Sequence, residues 1–408
     1  MFKITAKNDD GSYDVLDTDS GDVERTSKKD LIKAVKLGIK ILGVSDGKIF
    51  VFDSYITKSL LLNNKFNYDG YSYIVEDNDI IMTEVPLGNC VYIPDFVTAI
   101  SENVFYDFKG ALSVYGGKGL ISMREMFSSC FGLESVSLVH MDTSNVIDMN
   151  SLFFACTLLC EVDFGEINTS NVGDMGYMFC NCSSLVSLDL RSFDTSQVTV
   201  IGDMFSNCSS LVEVDLSSFN IEQVTSLDEM FSGCSSLEYL DLSTFVGSEV
   251  YSATQMFQGC KKLKGINLSN FKAPFIQDID HIFQNCCSLE VIDLSSINSM
   301  DLENLSSSFM LCSSLKKLIA GDYLFKHAVD LSNTFYGCVS LEDIIPPVIN
   351  FEFVDNSRST FDNCKSINEL HIPDNRGIYD INASAFRGSN IKIYDFPEEV
   401  RDSYLHNK

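Results

Sequence analysis

Fourteen cysteines and a column of evenly spaced carboxylates are the groups in this 408-residue chain with the chemistry to bind a metal, cross-link or attack a substrate. Ten of the cysteines recur every 26 residues, at Cys130, Cys156, Cys182, Cys208, Cys234, Cys260, Cys286, Cys312, Cys338 and Cys364. Each follows by three positions a phenylalanine of the same period: Phe127, Phe153, Phe179, Phe205, Phe231, Phe257, Phe283, Phe309, Phe335 and Phe361. A nucleophilic thiol needs exposure and an electropositive setting. A stacked column offers neither and reads instead as reduced, buried packing, since free cysteine behaves as a small hydrophobe with a weak donor. Cys90, Cys160, Cys180 and Cys287 share no column, and no Cys-x-x-Cys pair exists, which excludes zinc-ribbon and thioredoxin-like readings.

The carboxylates are Asp163, Asp189, Asp215, Asp241 and Asp293, with Asn267 at the equivalent place. Stacked about 5 Å apart they repel one another, and would draw a cationic partner surface or a hard divalent ion. Hydrogen bonding to Ser217, Ser243 or Ser295, two residues on, is the structural alternative, and no metal is expected. Towards the C-terminal end Ile319 and Ile345 take the place of aspartate. Together with Val291 they form either an apolar patch for a partner or, because Pro346 and Pro347 cannot join a ladder, a bulge that turns them inward. Near the start Lys29, Lys33, Lys36 and Lys40, joined by Arg25 and Lys28, fall on one stripe of an expected helix. That stripe would suit an acidic partner, nucleic acid or the chain's own carboxylates, or simply face water. The five histidines are scattered, and Gly116-Gly117-Lys118-Gly119 lacks the Ser or Thr of a phosphate loop and reads as a turn. No enzyme activity and no cofactor are expected.

These residues need elements to hold them. A 26-residue period kept through ten copies without insertion means that each copy is one turn of a solenoid, whose apolar face only its neighbours can bury. In the copy that begins at Met204, the spacing of Met204, Phe205 and Cys208 predicts a short helix or 3₁₀ segment. Leu211, Val214 and Leu216 then mark a strand with Glu213, Asp215 and Ser217 outward, and Phe219 and Val224 complete the interior. The expected fold class is therefore α/β, with a stacked parallel sheet of ten or more strands about 50–60 Å long. Residues 127–382 form the solenoid, 91–126 an N-terminal capping turn and 383–408 a C-terminal cap, with Phe386 one residue short of the period and Ser389 in the cysteine's place. Caps are needed because a bare terminal turn exposes apolar groups and unpaired strand edge. Residues 1–90 lie outside the repeat as a small N-terminal α/β module. It has a hairpin around Asp9-Asp10-Gly11, a helix entered at Ser27 with Asp30 in a capping box, a strand in KIFVFD and a strand pair around Asn78.

The units MFSNCSSLVEVDLSSF, MFSGCSSLEYLDLSTF and MFCNCSSLVSLDLRSF resemble the BspA-like leucine-rich repeat family in its 26-residue variant. VYIPDFVTAISENVF and LHIPDNRGIYDINASAF resemble that family's shorter repeat style, so the likeness covers about residues 91–395. The resemblance implies a leucine-rich repeat solenoid used for binding, as in bacterial surface adhesins and proteins of protozoa and mobile elements. A formal charge of −28 disfavours nucleic acid and anionic lipid as partners. No apolar run approaches a membrane span, and the first twenty residues show no secretory h-region. The chain is thus expected to be a non-enzymatic interaction or adhesion scaffold, cytoplasmic or in a virion-like assembly, or at a surface by another route. Its partner would be a protein or glycan met through Glu161, Asp163, Asp189, Arg191, Glu213, Asp215, Tyr239 and Asp241. The alternative is a structural or decorating component of a phage-like or mobile-element assembly, anchored through residues 1–90.

Overall fold

The computed structural model describes residues 70–371, apart from 77–78, 86–87, 96, 103, 298 and 368, and residues 381–391 apart from 383. It also describes the backbone of the strands between residues 2 and 68. Those strands are β1 (Phe2–Lys7), β2 (Ser12–Asp17), β3 (Val23–Ser27), β4 (Ile41–Ser45), β5 (Lys48–Phe52) and β6 (Lys65–Tyr68). The first five form a sheet of order β3-β2-β1-β4-β5, antiparallel except for the parallel pair β1 and β4. The expected hairpin is there, with Lys7 opposite Tyr13. The helix expected after Ser27, and with it Lys28, Lys29, Lys33, Lys36 and Lys40, lies outside the described residues.

Next come β7 (Tyr71–Glu76) and β8 (Asp79–Glu84), the antiparallel pair expected around Asn78. They join β6 and β10 (Ala99–Ile100) in a sheet of order β10-β8-β7-β6, in which β8 and β10 are parallel. This is where antiparallel meander gives way to parallel coil. Thr98 N–H donates to Ile80 O at 3.0 Å and Ser101 N–H to Met82 O at 2.8 Å, and Tyr73 and Met82 share one buried cluster with the coils that follow.

The longest ladders come next. β9 (Cys90–Ile93), β11 (Lys109–Gly116), β12 (Gly132–Met141) and β13 (Glu161–Asp163) form an all-parallel sheet of order β13-β12-β11-β9. Beyond it the strands are two or three residues long: β14 (Ser187–Leu188), β15 (Glu213–Val214), β16 (Tyr239–Asp241), β17 (Gly265–Asn267), β18 (Val291–Asp293), β19 (Lys317–Ile319) and β20 (Asp343–Ile345). They pair in parallel with a register of 26 residues, Ser187 with Glu213, Tyr239 with Gly265 and Val291 with Lys317. The expected unbroken sheet is instead a series of short ladders, β14-β15, β16-β17 and β18-β19-β20. At β14 to β18 the chain leaves the sheet at a corner led by Asp189, Asp215, Asp241, Asn267 or Asp293 before a longer ladder can form.

A second parallel column runs alongside as single bridges, Ser122 to Asp148 to Asp174 to Val200 and Ser226 to Ser252 to Asp278 to Asn304 to Asp330 to Asn356.

The side of each coil that carries Phe and Cys is not helical, and no helix occurs among the described residues, so the α/β class is corrected to a parallel β-solenoid of stacked coils. The residues two before and two after each Phe are left-handed, for example Ser151 (φ 57°) and Ala155 (φ 58°) around Phe153. This interrupts the right-handed series a helix requires and turns every second N–H along the solenoid axis. Met149, Ser151, Phe153 and Ala155 N–H donate to Asp174, Gly176, Met178 and Cys180 O of the next coil at 2.7–2.9 Å. Between them, Leu152, Phe154 and Cys156 N–H bond back three residues within the coil. The i, i+3 spacing that predicts a helix is satisfied by these back-bonds alone.

Inside, the phenyl rings form one continuous column. Consecutive rings from Phe127 to Phe361 lie 5.0–5.9 Å apart and within 16° of parallel. Phe105 at one end (4.9 Å) and Phe386 at the other (5.6 Å) extend the stack through both capping segments. The Gly116-Gly117-Lys118-Gly119 phrase is a turn as expected. A Cβ on Gly116 (φ 87°) would come within 2.3 Å of Ile93 O, so only glycine lets β11 leave the sheet there. No helix among the described residues is long and apolar enough to cross a membrane.

Candidate functional site

The ten repeat cysteines are free and buried. In each coil after the first, Sγ–H donates to the carbonyl of the Phe in the preceding coil, from Cys156 to Phe127 O (2.9 Å) through Cys364 to Phe335 O (3.0 Å). The same Phe carbonyl accepts the N–H of the cysteine in its own coil, as Phe127 O does from Cys130, so both lone pairs are used. Burial pushes the thiols from Cys182 to Cys364 up, Cys260 to about 12, which leaves them protonated and inert. The column is structural.

The outward strand residues are where chemistry reaches solvent. Glu161, Asp163, Asp189, Arg191, Glu213, Asp215, Tyr239 and Asp241 are all exposed, Tyr239 at 63%. Register places Glu161, Ser187, Glu213, Tyr239, Gly265, Val291, Lys317 and Asp343 in one column, and the aspartate series beside it. Each aspartate has a local task. Oδ1 of Asp163, Asp189, Asp215, Asp241 and Asp293 accepts the N–H two residues on, at 2.8–3.2 Å, and Asn267 does the same for Ser269. This Asx turn needs an oxygen but no charge, which explains the asparagine in the series. Hydrogen bonds from Ser217 and Ser243 hold Asp215 and Asp241 below the usual carboxylate range. Asp189 is held lower still, at about 2, by the Arg191 guanidinium, whose Nε lies 2.9 Å from Oδ1. Among the described residues no group of His, Cys, Asp and Glu is arranged to hold a metal ion.

Between Asp163 and Arg191 the surface dips into a cleft of about 410 Å³ lined also by Phe164, Gly165, Glu166, Asp189 and Ser192. The column just before the strands changes along the axis, from Cys160, Val186 and Val212, all exposed, to the alternating charges Glu238, Lys264, Glu290, Lys316 and Glu342. Lys264 pairs with Glu238 at 2.7 Å and Lys316 with Glu290 at 2.9 Å, and Lys264 Nζ stands 6.0 Å from the Tyr239 ring. This ladder is absent from the expected contact residues, although a 26-residue alternation of sign signals it in the sequence.

Ile319 and Ile345 are register partners, half-buried and 41% exposed. The ladder continues regularly through Ile345, so Pro346 produces no inward bulge there. Val291 is exposed but stands in the neighbouring column, opposite Lys317, and is not part of a contiguous Ile patch. The lysine stripe lies outside the described residues.

The family model described as a Mycoplasma protein of unknown function, DUF285, matches residues 121–245, 226–348 and 251–374, together more than half of the chain. No curated protein matches it. Among solved structures it is similar to a leucine rich cell surface protein from Faecalibacterium prausnitzii, at 22% identity over 76% of this chain and 95% of that one, with a TM-score of 0.33. It is also similar to a leucine-rich repeat protein from Eubacterium ventriosum, at 14% identity over 80% of this chain and 95% of that one, with a TM-score of 0.32.

Proposed function

The chain belongs to the DUF285 family, whose description assigns no activity, and from that premise we propose that it is a non-enzymatic repeat scaffold that presents its outward strand face to a protein partner carrying basic groups. The observation that carries this reading is the placing of Glu161, Asp163, Asp189, Glu213, Asp215 and Asp241 on one exposed face, on coils whose phenyl cores are 5.3–5.7 Å apart, with Arg191 as the one cation among them. A stacked array holds these side chains in place before the partner arrives, so little ordering entropy is lost on contact. Tyr239, large and rigid, supplies an anchor at the end of the acidic stretch. An acidic face in a chain of charge −28 also speeds encounter with a basic surface, and that speed falls as salt rises.

The test is capture of partners from a lysate by the intact chain and by the Asp189→Asn, Asp215→Asn, Asp241→Asn triple variant, followed by titration of whatever is captured. Asparagine keeps the three Asx turns, so the variant should fold as the parent does. We expect affinity for the specific partner to fall about tenfold or more, with a shallower salt dependence. Equal capture by both chains would remove the acidic face from consideration.

A further inference from the structure

A polar groove of about 490 Å³ crosses four successive coils just upstream of the strands. Its floor is Gly233 and Gly259, both left-handed (φ 73° and 74°), in the column position that Asn207 and Asn285 fill in the flanking coils. A Cβ on Gly259 would meet nothing nearer than Gly233 at 3.8 Å, so the space above it is open. Over Gly233 the Asn207 amide leans in, within 2.4 Å of where a Cβ would stand, so the trough opens over Gly259 with Asn207 and Asn285 in its lining.

The walls are short of partners. Gln258 Nε2 donates to Gln284 Oε1, but Gln284 Nε2 finds only the thioether of Met310, at 3.2 Å, a weak acceptor. Asn207 Nδ2 reaches Ser206 Oγ at 3.5 Å, the limit of a hydrogen bond. In an acidic chain the groove lining holds no carboxylate, one cation (Lys261), and no aliphatic or aromatic side chain.

We propose that this groove is a binding site for a neutral glycan segment lying along the solenoid axis. Amides and serine hydroxyls give and accept hydrogen bonds, which matches a ligand whose hydroxyls do both. A polyanion would meet a single lysine against a strongly negative chain, and a peptide would find no apolar pocket for an anchor side chain. The Phe rings of the four coils rise in steps of 5.3, 5.8 and 5.2 Å, so equivalent polar groups recur along the trough as they do along an oligosaccharide.

The full chain is titrated calorimetrically with maltohexaose, cellohexaose, chitohexaose as its N-acetylated form and, for contrast, a heparin-derived hexasaccharide, each at millimolar concentration. At least one neutral saccharide should bind. Gly259→Asn should weaken it about tenfold or more by filling the trough, with the thermal midpoint unchanged, because asparagine already sits in this left-handed position at Asn207, Asn285 and Asn363. Gln284→Ala should weaken it several-fold, and the strand-face triple variant should bind as the parent does. Binding of no neutral saccharide, binding unaltered by Gly259→Asn, or binding of the heparin fragment alone would overturn the proposal.

Discussion

A thiol in the repeat column serves two ends: it fills the space beside the phenyl stack, and its weak donor satisfies the second lone pair of the preceding coil's Phe carbonyl. Serine would supply the bond with less bulk, and alanine would leave the carbonyl with one partner. The chemistry of the fourteen thiols should therefore divide by position. In native protein, an aromatic disulfide reagent at pH 8 should react promptly with Cys90 and Cys160, more slowly with half-buried Cys287, and with buried Cys180 and the ten of the column only after unfolding in denaturant. Rapid reaction of all fourteen in native buffer would refute the buried stack. Asp203 is a second residue with a measurable signature. Half-burial, then the nearby Glu229 carboxylate, raises it to about 6, while the Tyr177 hydroxyl partly offsets them. A carboxyl raised above its unfolded value, about 3.9, binds its proton more tightly in the folded chain, so this group's effect on stability worsens as pH climbs from about 4 through 6. Asp203→Asn should thus be more stable than the parent at pH 7.5, by less than about 1 kcal/mol because half of the site meets solvent, and indistinguishable from it at pH 4. Paired urea titrations at the two pH values would show this, and a variant less stable at pH 7.5 would rule it out.

At the scale of the element, the corner that follows β13 to β18 rests on an Asp or Asn oxygen two residues before an N–H. Asp241→Asn should leave stability within about 0.5 kcal/mol of the parent, whereas Asp241→Ala should cost about 0.5–1.5 kcal/mol by freeing the Ser243 N–H. Equal losses for both would mean that charge, and not turn geometry, is what the position supplies. This corner also marks the limit of what sequence discloses. The 26-residue columns of Phe and Cys, the strand at Val214, though it stops short of buried Leu216, and the hairpins at Asp9-Asp10-Gly11 and Asn78 were legible, because periodicity and turn chemistry act locally. The left-handed residues flanking each Phe were not, because Ala155, His281 and Leu311 stand in positions where glycine or asparagine would have announced them. Axial hydrogen bonds to the next coil hold those residues in place, and pairing between coils leaves no mark in any one coil. The aspartate column was legible as a column, and so was its hydrogen bonding to Ser217, Ser243 and Ser295, because the partner lies only two residues on. The Gly233 and Gly259 trough was invisible for a related reason: two glycines mean nothing until register sets them side by side.

From β9 onward the molecule is a one-dimensional stack in which each coil touches its neighbours, so its cooperativity depends on how strongly adjacent coils are coupled. The coupling here has three strands: the phenyl column, the Cys to Phe carbonyl bonds and the axial N–H bonds. Phe231 sits near the middle, with its ring 5.3 Å from Phe205 and 5.8 Å from Phe257. Phe231→Ala removes both ring contacts and opens a cavity in a fully buried site, at a cost of about 3–5 kcal/mol. In a globular core that loss would lower one midpoint. In a stack it falls on a single interface, so the coils on either side should melt apart. Calorimetry of the variant should resolve two transitions where the parent shows one, and hydrogen exchange should report early loss of protection at Phe205, Asn207, Phe231 and Gly233, whose N–H groups bridge the affected coils. Phe361→Ala, near the C-terminal end, should instead fray that end and leave the main transition intact. A single lowered transition for Phe231→Ala, with protection lost evenly from Phe127 to Phe361, would show that the coils unfold as one globule and that nearest-neighbour contact is not what sets their cooperativity.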